Sequence, residues 1–182
     1  MKSKFLVFLV IVFSYQSCCL RKGEEIDRIT FTVQEKTKIP YTDSQLVDMI
    51  TDDGFQFQLS TNTRSSFFSD QEHCEDYTSY ESYNVDLSSE LPNLDIALSL
   101  NRSYNYVDDV EFIDVGLTIN RLFFYYDLET PLETIEINGT IYTDVYRYFS
   151  NQVDVAIAEV LFNEASGILR INYLNGDYVQ ID

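Results

Sequence analysis

Apolar and polar residues alternate with a period of two in successive short runs along the chain. The runs include Ile29–Val33, Phe55–Leu59, Ile96–Leu100 and Ile113–Ile119. This pattern is typical of antiparallel strands that have one buried and one wetter face. It predicts an all-β fold, either an antiparallel β-sandwich or an open barrel of about ten strands, with at most one or two short helices. One short helix is predicted over residues 43–50, because Asp43 and Ser44 are suitable N-cap residues.

The last 17 residues predict a hairpin whose register can be argued residue by residue. Asn175-Gly176 lies between two apolar-rich runs, which is a strong turn signal. A three-residue loop over residues 174–176, with Gly176 in the left-handed region, pairs Ile171 with Val179 and Leu169 with Ile181. A slip of one residue would exchange the faces, so this register is preferred. The polar face then carries Arg170, Asn172, Tyr178 and Gln180.

Two further elements are predicted before this hairpin. Asn138-Gly139 marks another hairpin over residues 134–148, for which a three-residue loop pairs Ile135 with Ile141. Residues 155–162 fit either a helix or a strand with one irregularity. A turn follows at residues 163–167, and we therefore favour a strand that pairs with Ile168–Tyr173.

The first 17 residues have the features of a secretory signal peptide. Lys2 and Lys4 precede nine apolar residues, Phe5–Phe13. A bilayer core requires roughly 20 apolar residues in a helix, so this run is too short to span a membrane. The pattern therefore predicts a signal peptide over residues 1–17 and export of the protein.

The junction after the signal peptide resembles a bacterial lipobox, in which a cysteine becomes the lipidated first residue. Here Ser17 precedes Cys18. We predict lipidation at Cys18, a tether over residues 18–27 and a single β-rich domain over residues 28–182. The alternatives are an ordinary signal peptide that is cut nearby, and a cut before Cys19.

Several motifs in the C-terminal third match a pattern of hairpins and strands. They are Ile137–Tyr142 with Asp144–Tyr146, then Ala165–Leu169, and then Asn175–Asp177. Together with the leader, these motifs resemble uncharacterised Bacteroidota-type envelope lipoproteins. The resemblance implies an exported, anchored, β-rich protein of unknown activity, and it supplies no catalytic residues.

Charge is distributed unevenly along the chain. Residues 21–38 hold five basic and four acidic side chains, a net of +1, whereas residues 39–182 hold five Arg, no Lys and 26 carboxylates, a net of −21. Such a surface repels nucleic acid, because phosphate binding depends on Lys and Arg, and we expect no nucleic-acid partner. The basic residues near the anchor are suited to lipid headgroups. Alternatively, the acidic charge serves only solubility.

Acidic residues also form the only clusters that suggest metal ligands. One is Asp70–Asp76, which contains His73 and Cys74, and the other combines Asp108 and Asp109 with Glu111 and Asp114. Neither matches a zinc site or a D-x-[DN]-x-[DN]-G calcium loop, and we expect no metal and no cofactor. A solvated acidic loop is the simpler interpretation.

Catalytic motifs are missing from the sequence. It has no G-x-S-x-G, no H-E-x-x-H and no P-loop, and it has a single His. We therefore predict that the protein is not an enzyme. The alternative is a carboxylate-dependent, glycosidase-like hydrolase of the cell envelope, since 30 acidic residues provide many carboxylate pairs.

Aromatic residues are abundant, with 14 Tyr and 13 Phe. Aromatic side chains on the wet side of a sheet can form a binding surface. The alternative is that Tyr simply covers the outer face of the sheet with its hydroxyl in water. We predict a membrane-anchored, non-catalytic binding or assembly module whose partner, besides the bilayer, is an envelope protein, glycan or lipid. The predicted binding residues are Tyr77, Tyr80, Tyr83, Phe123, Phe124, Tyr125 and Tyr126.

Overall fold

The computed structural model describes residues 23–69, 76–105, 110–126, 133–150 and 156–182. These ranges contain twelve strands and one short helix, which confirms the predicted all-β fold class. The helix is α1 (Val33–Lys36). The strands are β1 (Glu25–Ile29), β2 (Leu46–Thr51), β3 (Gln56–Ser69), β4 (Tyr77–Ser89), β5 (Leu94–Asn105), β6 (Val110–Ile119), β7 (Leu122–Tyr126), β8 (Glu133–Ile137), β9 (Thr140–Phe149), β10 (Ile157–Asn163), β11 (Gly167–Tyr173) and β12 (Tyr178–Ile181).

The twelve strands form one mixed sheet. The order of hydrogen-bonded neighbours is β1-β4-β3-β2-β12-β11-β10-β9-β7-β6-β5, with β8 paired to β9 and an additional pairing of β4 with β5. Because β4 pairs with both β3 and β5, ten of the twelve described strands form a closed circuit, from which β1 and β8 branch. The β1–β4 pairing is parallel, and every other pairing whose register is described is antiparallel.

The chain divides into two compact units. The first combines Met1–Thr30 with Ser66–Glu81, and the second combines Phe31–Ser65 with Ser82–Asp182. In the first unit the guanidinium of Arg28 lies 4.7 Å from the centre of the Phe67 ring. Helix α1 and nine complete strands, β2 and β5 to β12, belong to the second unit.

The second unit is built around a packed apolar core. At the start of β3 the buried positions alternate as the sequence pattern predicts, and Leu98 on β5 lies opposite Leu117 on β6, both fully buried. The main cluster also includes Met49 and Phe162. A separate, smaller cluster contains Ile137, Val145, Leu161 and Leu169. Together the two clusters contain all of the buried apolar side chains in the described residues.

The C-terminal hairpin has the predicted register. Ile171 lies opposite Val179, and the amide of Tyr173 donates to the carbonyl of Asp177 across a three-residue loop. Gly176 has a φ of 96°, as expected for a glycine in the left-handed region. The strand prediction for residues 155–162 is also confirmed in part, since β10 pairs with β11 while residues 151–155 lie outside the described ranges.

One detail of that hairpin was predicted incorrectly. Leu169 was assigned to the same face as Ile171, but it belongs to the smaller cluster while Ile168 and Ile171 belong to the main one. The β10–β11 register skips Leu169, because Leu161 pairs with Arg170 and Phe162 with Ile168. A β-bulge places an extra residue in one strand, and this bulge exchanges the face on which Leu169 lies.

The predicted loop of the β8–β9 hairpin is wrong. Ile137 pairs with Thr140, so the loop has only two residues, Asn138 and Gly139, with φ values of 51° and 79°. These values fit a type I′ turn, whose twist matches that of the strands. Ile135 therefore lies opposite Tyr142, and Ile141 is 67 % exposed.

The predicted helix over residues 43–50 is also wrong, because residues 46–51 form β2. The helix in the described ranges is α1, which begins at Val33, the last residue of the run that the alternation predicts as a strand. Thr32 caps it: the Thr32 hydroxyl accepts from the Glu35 amide, and the Glu35 carboxylate accepts from the Thr32 amide. This is a capping box, and the sequence Thr-Val-Gln-Glu contains its signature.

The predicted signal peptide and Cys18 lie outside the described residues. Within the described ranges, no helix combines the length and the apolarity that a membrane-crossing segment requires.

Candidate binding surface

Strand β7 carries aromatic side chains on both of its faces. Phe124 is fully buried, whereas Phe123 and Tyr125 are 53 % and 44 % exposed. Successive side chains on a strand point to opposite faces, so Phe123 and Tyr125 share the outward face. On the neighbouring strand β9, Phe149 lies opposite Tyr125 and is 37 % exposed. We call Phe123, Tyr125 and Phe149 the aromatic row.

The sheet holds the aromatic row in place. Phe123 lies opposite Thr118 on β6, and residues directly opposite each other in an antiparallel pair have Cβ atoms about 5 Å apart. On the inward face, Phe124 lies opposite Leu117 and packs in the main cluster. The hydroxyl of Tyr148 donates to the carbonyl of Val115 at 2.7 Å. The row therefore stands on strands whose other face is anchored in the core.

These positions test the predicted Phe-Phe-Tyr-Tyr block residue by residue. The structure brings Phe123 and Tyr125 together on an exposed face. Phe124 is part of the core and does not contribute to a surface. The side chain of Tyr126 lies outside the described part of the chain.

The other predicted aromatics are only half-buried and belong to different units. Tyr77 and Tyr80 lie in the first unit, where Tyr80 stacks on Phe68 with 5.6 Å between ring centroids. Tyr83 lies in the second unit, packs against the main cluster and has the Lys36 ammonium 5.2 Å from its ring centre.

Tyr83 also lines an open groove beside α1. The groove has a volume of about 680 Å³. Glu164, one of its two charged lining residues, is already engaged, since Lys38 lies 2.6 Å from its carboxylate and the hydroxyl of Tyr146 donates to that carboxylate at 3.2 Å. The groove is lined by Val33, Lys36, Thr37, Ile39, Pro40, Tyr41, Thr42, Tyr83, Glu164 and Ala165.

An ion-pair network lies beside the aromatic row. Arg147 on β9 donates to Glu133 from Nε at 2.8 Å and from Nη2 at 2.6 Å, and it donates to Glu159 from Nη1. These hydrogen bonds lower the pKa of Glu133 and raise the pKa of Arg147. Asn172 donates to the other oxygen of Glu159 at 2.7 Å. We call Glu133, Arg147 and Glu159 the ionic triad.

The triad and the row share one face of the sheet. Arg147 precedes Phe149 by two residues on β9, so both side chains lie on the same side. The β9–β10 register pairs Val160 with Tyr148, and its continuation places Glu159 opposite Phe149. The side chains of the triad are between 21 % and 42 % exposed, so their polar atoms are partly accessible at fixed positions.

Sequence reasoning missed the triad and Phe149. The alternation of Tyr146, Arg147, Tyr148 and Phe149 was a usable local signal for the outward face. The partners of Arg147 lie 14 and 12 residues away, and no local pattern identifies them.

The carboxyl group of Asp114 has a raised pKa, in contrast to the lowered pKa of Glu133. Burial raises the pKa of Asp114, although hydrogen bonds from its own amide and Asn101 and the charge of Lys38 act to lower it. Its Oδ1 is the only buried side-chain oxygen or nitrogen without a hydrogen-bond partner in the described residues. Across the β5–β6 pair it faces Asn101 and not a second carboxylate.

We expect Asp114→Asn to stabilise the protein at neutral pH. A raised native pKa means that the native state binds more protons than the unfolded state between the ordinary aspartate pKa and the raised one, so stability falls as pH rises through that range. Because Asp114 is only half-buried, solvent screening limits the gain to about 0.5–1 kcal/mol. Denaturant unfolding at pH 7 and pH 3 measures it. A gain that persists at pH 3, where both forms are neutral, would contradict the electrostatic cause.

The described residues contain no group of three His, Cys, Asp or Glu side chains that could hold a metal ion. The acidic clusters considered from the sequence lie largely elsewhere, because residues 70–75 and 106–109 are outside the described ranges.

No known protein family, no curated protein and no solved structure matches the chain.

Proposed function

We propose that the chain is an exported, lipid-anchored, non-catalytic binding protein of a bacterial cell envelope, and that it binds its partner through the aromatic row. The leader supports export, and the Ser17-Cys18 junction supports lipidation at Cys18. Intact mass of the membrane-extracted protein tests the anchor. A diacyl or triacyl adduct at Cys18 is expected, and an unmodified N-terminus at another position would contradict it.

The observation that carries the binding proposal is the exposure of the aromatic row. Three large rings are held side by side on a sheet whose opposite face is a packed core, and each leaves between 37 % and 53 % of its surface in solvent. Clustered exposed apolar side chains mark interaction sites more often than chance exposure does. Aromatic residues also dominate the energetics of interfaces.

The alternative, a carboxylate-dependent, glycosidase-like hydrolase, uses two carboxyl groups whose environments push their pKa values apart. Asp114 has a raised pKa, but the residue directly opposite it is Asn101. The described geometry therefore supports binding better than hydrolysis.

The binding proposal is tested with isolated envelopes of the producing bacterium. The exported chain carrying Cys18→Ala, which removes the anchor, serves as the soluble probe. We expect Tyr125→Ala combined with Phe149→Ala to weaken envelope binding about tenfold or more, as truncation of interface anchors does.

The matched control is Ile141→Ala, which removes an apolar side chain that is 67 % exposed at the other end of β9. It should bind like the parent protein. Equal binding by the double variant and the parent would show that the aromatic row is not the contact surface.

A further inference from the structure

Arg121 occupies a backbone position that is unfavourable for its residue type. It forms the two-residue β6–β7 turn with Asn120, and the two residues have φ values of 70° and 48°. Both central positions of such a turn require positive φ, and glycine is preferred at the second. A long side chain there is uncommon, and unusual backbone positions of this kind cluster at functional sites.

The guanidinium of Arg121 also differs from the others in the described residues. Five of the six described arginines engage a carboxylate, an amide or an aromatic ring, whereas Arg121 is exposed and has no such partner within the described ranges. The engaged arginines are Arg28, Arg64, Arg102, Arg147 and Arg170.

Arg121 lies at one end of the aromatic row. It lies in the β6–β7 turn, directly before the start of β7 and two residues before Phe123. The ionic triad lies at the other end, beside Phe149. The face therefore presents an available cation, then three aromatic rings, then fixed carboxylate oxygens. We propose that this face binds an acidic saccharide, with the rings stacked on sugar faces and Arg121 paired with the carboxylate or phosphate of the sugar.

This inference rests on the proposed binding function and specifies its ligand. A peptide that adds a strand needs a free sheet edge, but β7 is hydrogen-bonded on both sides, to β6 and β9. A lipid chain requires an enclosed apolar groove, whereas the row is open and bordered by charged groups. A saccharide has both flat apolar faces and hydroxyl groups, and its hydroxyls can donate to the oxygens of Glu133 and Glu159.

The acidic charge of the protein makes Arg121 decisive for an anionic ligand. Residues 39–182 carry a net charge of −21, so an anion is repelled at long range and must be held by a short-range contact. An arginine–carboxylate or arginine–phosphate pair is such a contact, and it is often bidentate. Without Arg121, an acidic sugar should bind no better than its neutral counterpart.

The test uses matched saccharides that differ only in their acid group. One pair is oligogalacturonate and its methyl ester, and the other is phosphorylated mannan and the same mannan after dephosphorylation, which separates carboxylate from phosphate ligands. The chain contains no Trp, so Phe123→Trp in the detergent-extracted protein is a single fluorescent reporter on the row. We expect one acidic form to bind at least about tenfold more tightly than its neutral partner.

In the same reporter background, Arg121→Gln should abolish that preference without weakening the neutral form, and Arg121→Lys should restore part of it. Arg121→Gly should also lose the preference while raising the midpoint of denaturation, because glycine adopts the positive φ at this position without strain.

Equal binding of acidic and neutral forms, or a preference that survives Arg121→Gln, would overturn the inference. If no saccharide binds while envelope binding still depends on Tyr125 and Phe149, the partner is a protein or lipid. In that case the saccharide inference fails and the binding function stands. If no saccharide binds and envelope binding does not depend on Tyr125 and Phe149, both the saccharide inference and the proposed binding function fail.

Discussion

Gly167→Ala should destabilise the protein by about 3–5 kcal/mol, through a left-handed backbone position and a steric clash together. Gly167 has a φ of 82°. A Cβ added there would lie closer than 3.0 Å to three atoms of the Tyr41 ring and hydroxyl. Tyr41 cannot easily move away, because it is 5 % exposed and its hydroxyl accepts from the amide of Ile168 at 2.7 Å. Burial also raises the pKa of Tyr41 to about 12.

Gly176→Ala provides the matched control. Gly176 also has a positive φ, 96°, but an added Cβ would meet nothing within 4 Å. Gly176→Ala should therefore lower the stability only by the cost of placing alanine at a positive φ, about 1–2 kcal/mol. Denaturant unfolding measures both variants, and equal losses would show that the Tyr41 clash is relieved by local movement. If Gly167→Ala does not fold, combining it with Tyr41→Ala should restore folding, since the two effects are coupled.

The two Asn-Gly hairpins show what local sequence can and cannot predict about register. At residues 174–176 the alternation of apolar and polar residues on both strands agreed with only one loop length, and that register is observed. At residues 138–139 the same reasoning selected the wrong loop. The two-residue turn leaves Ile141 exposed, and Asp144, with a φ of 56°, brings Val145 back into the smaller cluster. An irregularity further along the strand thus compensated for an apparently poor register.

The errors near the N-terminal end of the second unit have a different origin. The run from Ile29 to Val33 alternates like a strand, but Thr32 and Glu35 form a capping box that begins a helix. Residues 46–51 resemble a capped helix, yet Val47 and Met49 are buried opposite Leu59 and Phe57 on β3. For residues 46–51, pairing with the distant strand β3 outweighed the local helix signal. For the run from Ile29 to Val33, the capping-box signal is present in the sequence, but the prediction gave more weight to the alternation.

The candidate surface could be predicted only in part, for the same reason. Period-two alternation separates Phe123 and Tyr125 from Phe124, so the outward aromatics of β7 were accessible to sequence reasoning. Their neighbour Phe149 is 24 residues from Tyr125 in the chain, and the contact depends on the β7–β9 pairing. Long-range pairing of this kind is not encoded in any short pattern.

Phe162→Ala should cost about 3–5 kcal/mol, as truncation of a fully buried Phe does. Phe162 is 1 % exposed and packs edge-on against Tyr148, with 6.1 Å between ring centroids. The centroid of its ring also lies 6.5 Å from that of the Tyr146 ring. Its removal leaves a cavity in the main cluster that the paired strands β9 and β10 cannot readily close. Thermal or denaturant unfolding of the purified variant measures the loss.

Phe123→Ala is the informative comparison, because it removes the same side chain from the aromatic row. With 53 % of its surface already in solvent, Phe123 should contribute less than about 1 kcal/mol to folding. A small loss would mean that stability does not require a phenyl ring at this position, so that binding is the remaining physical role for it. A loss similar to that of Phe162→Ala would place Phe123 in a packing role, and the aromatic row would then no longer be a surface available to a partner.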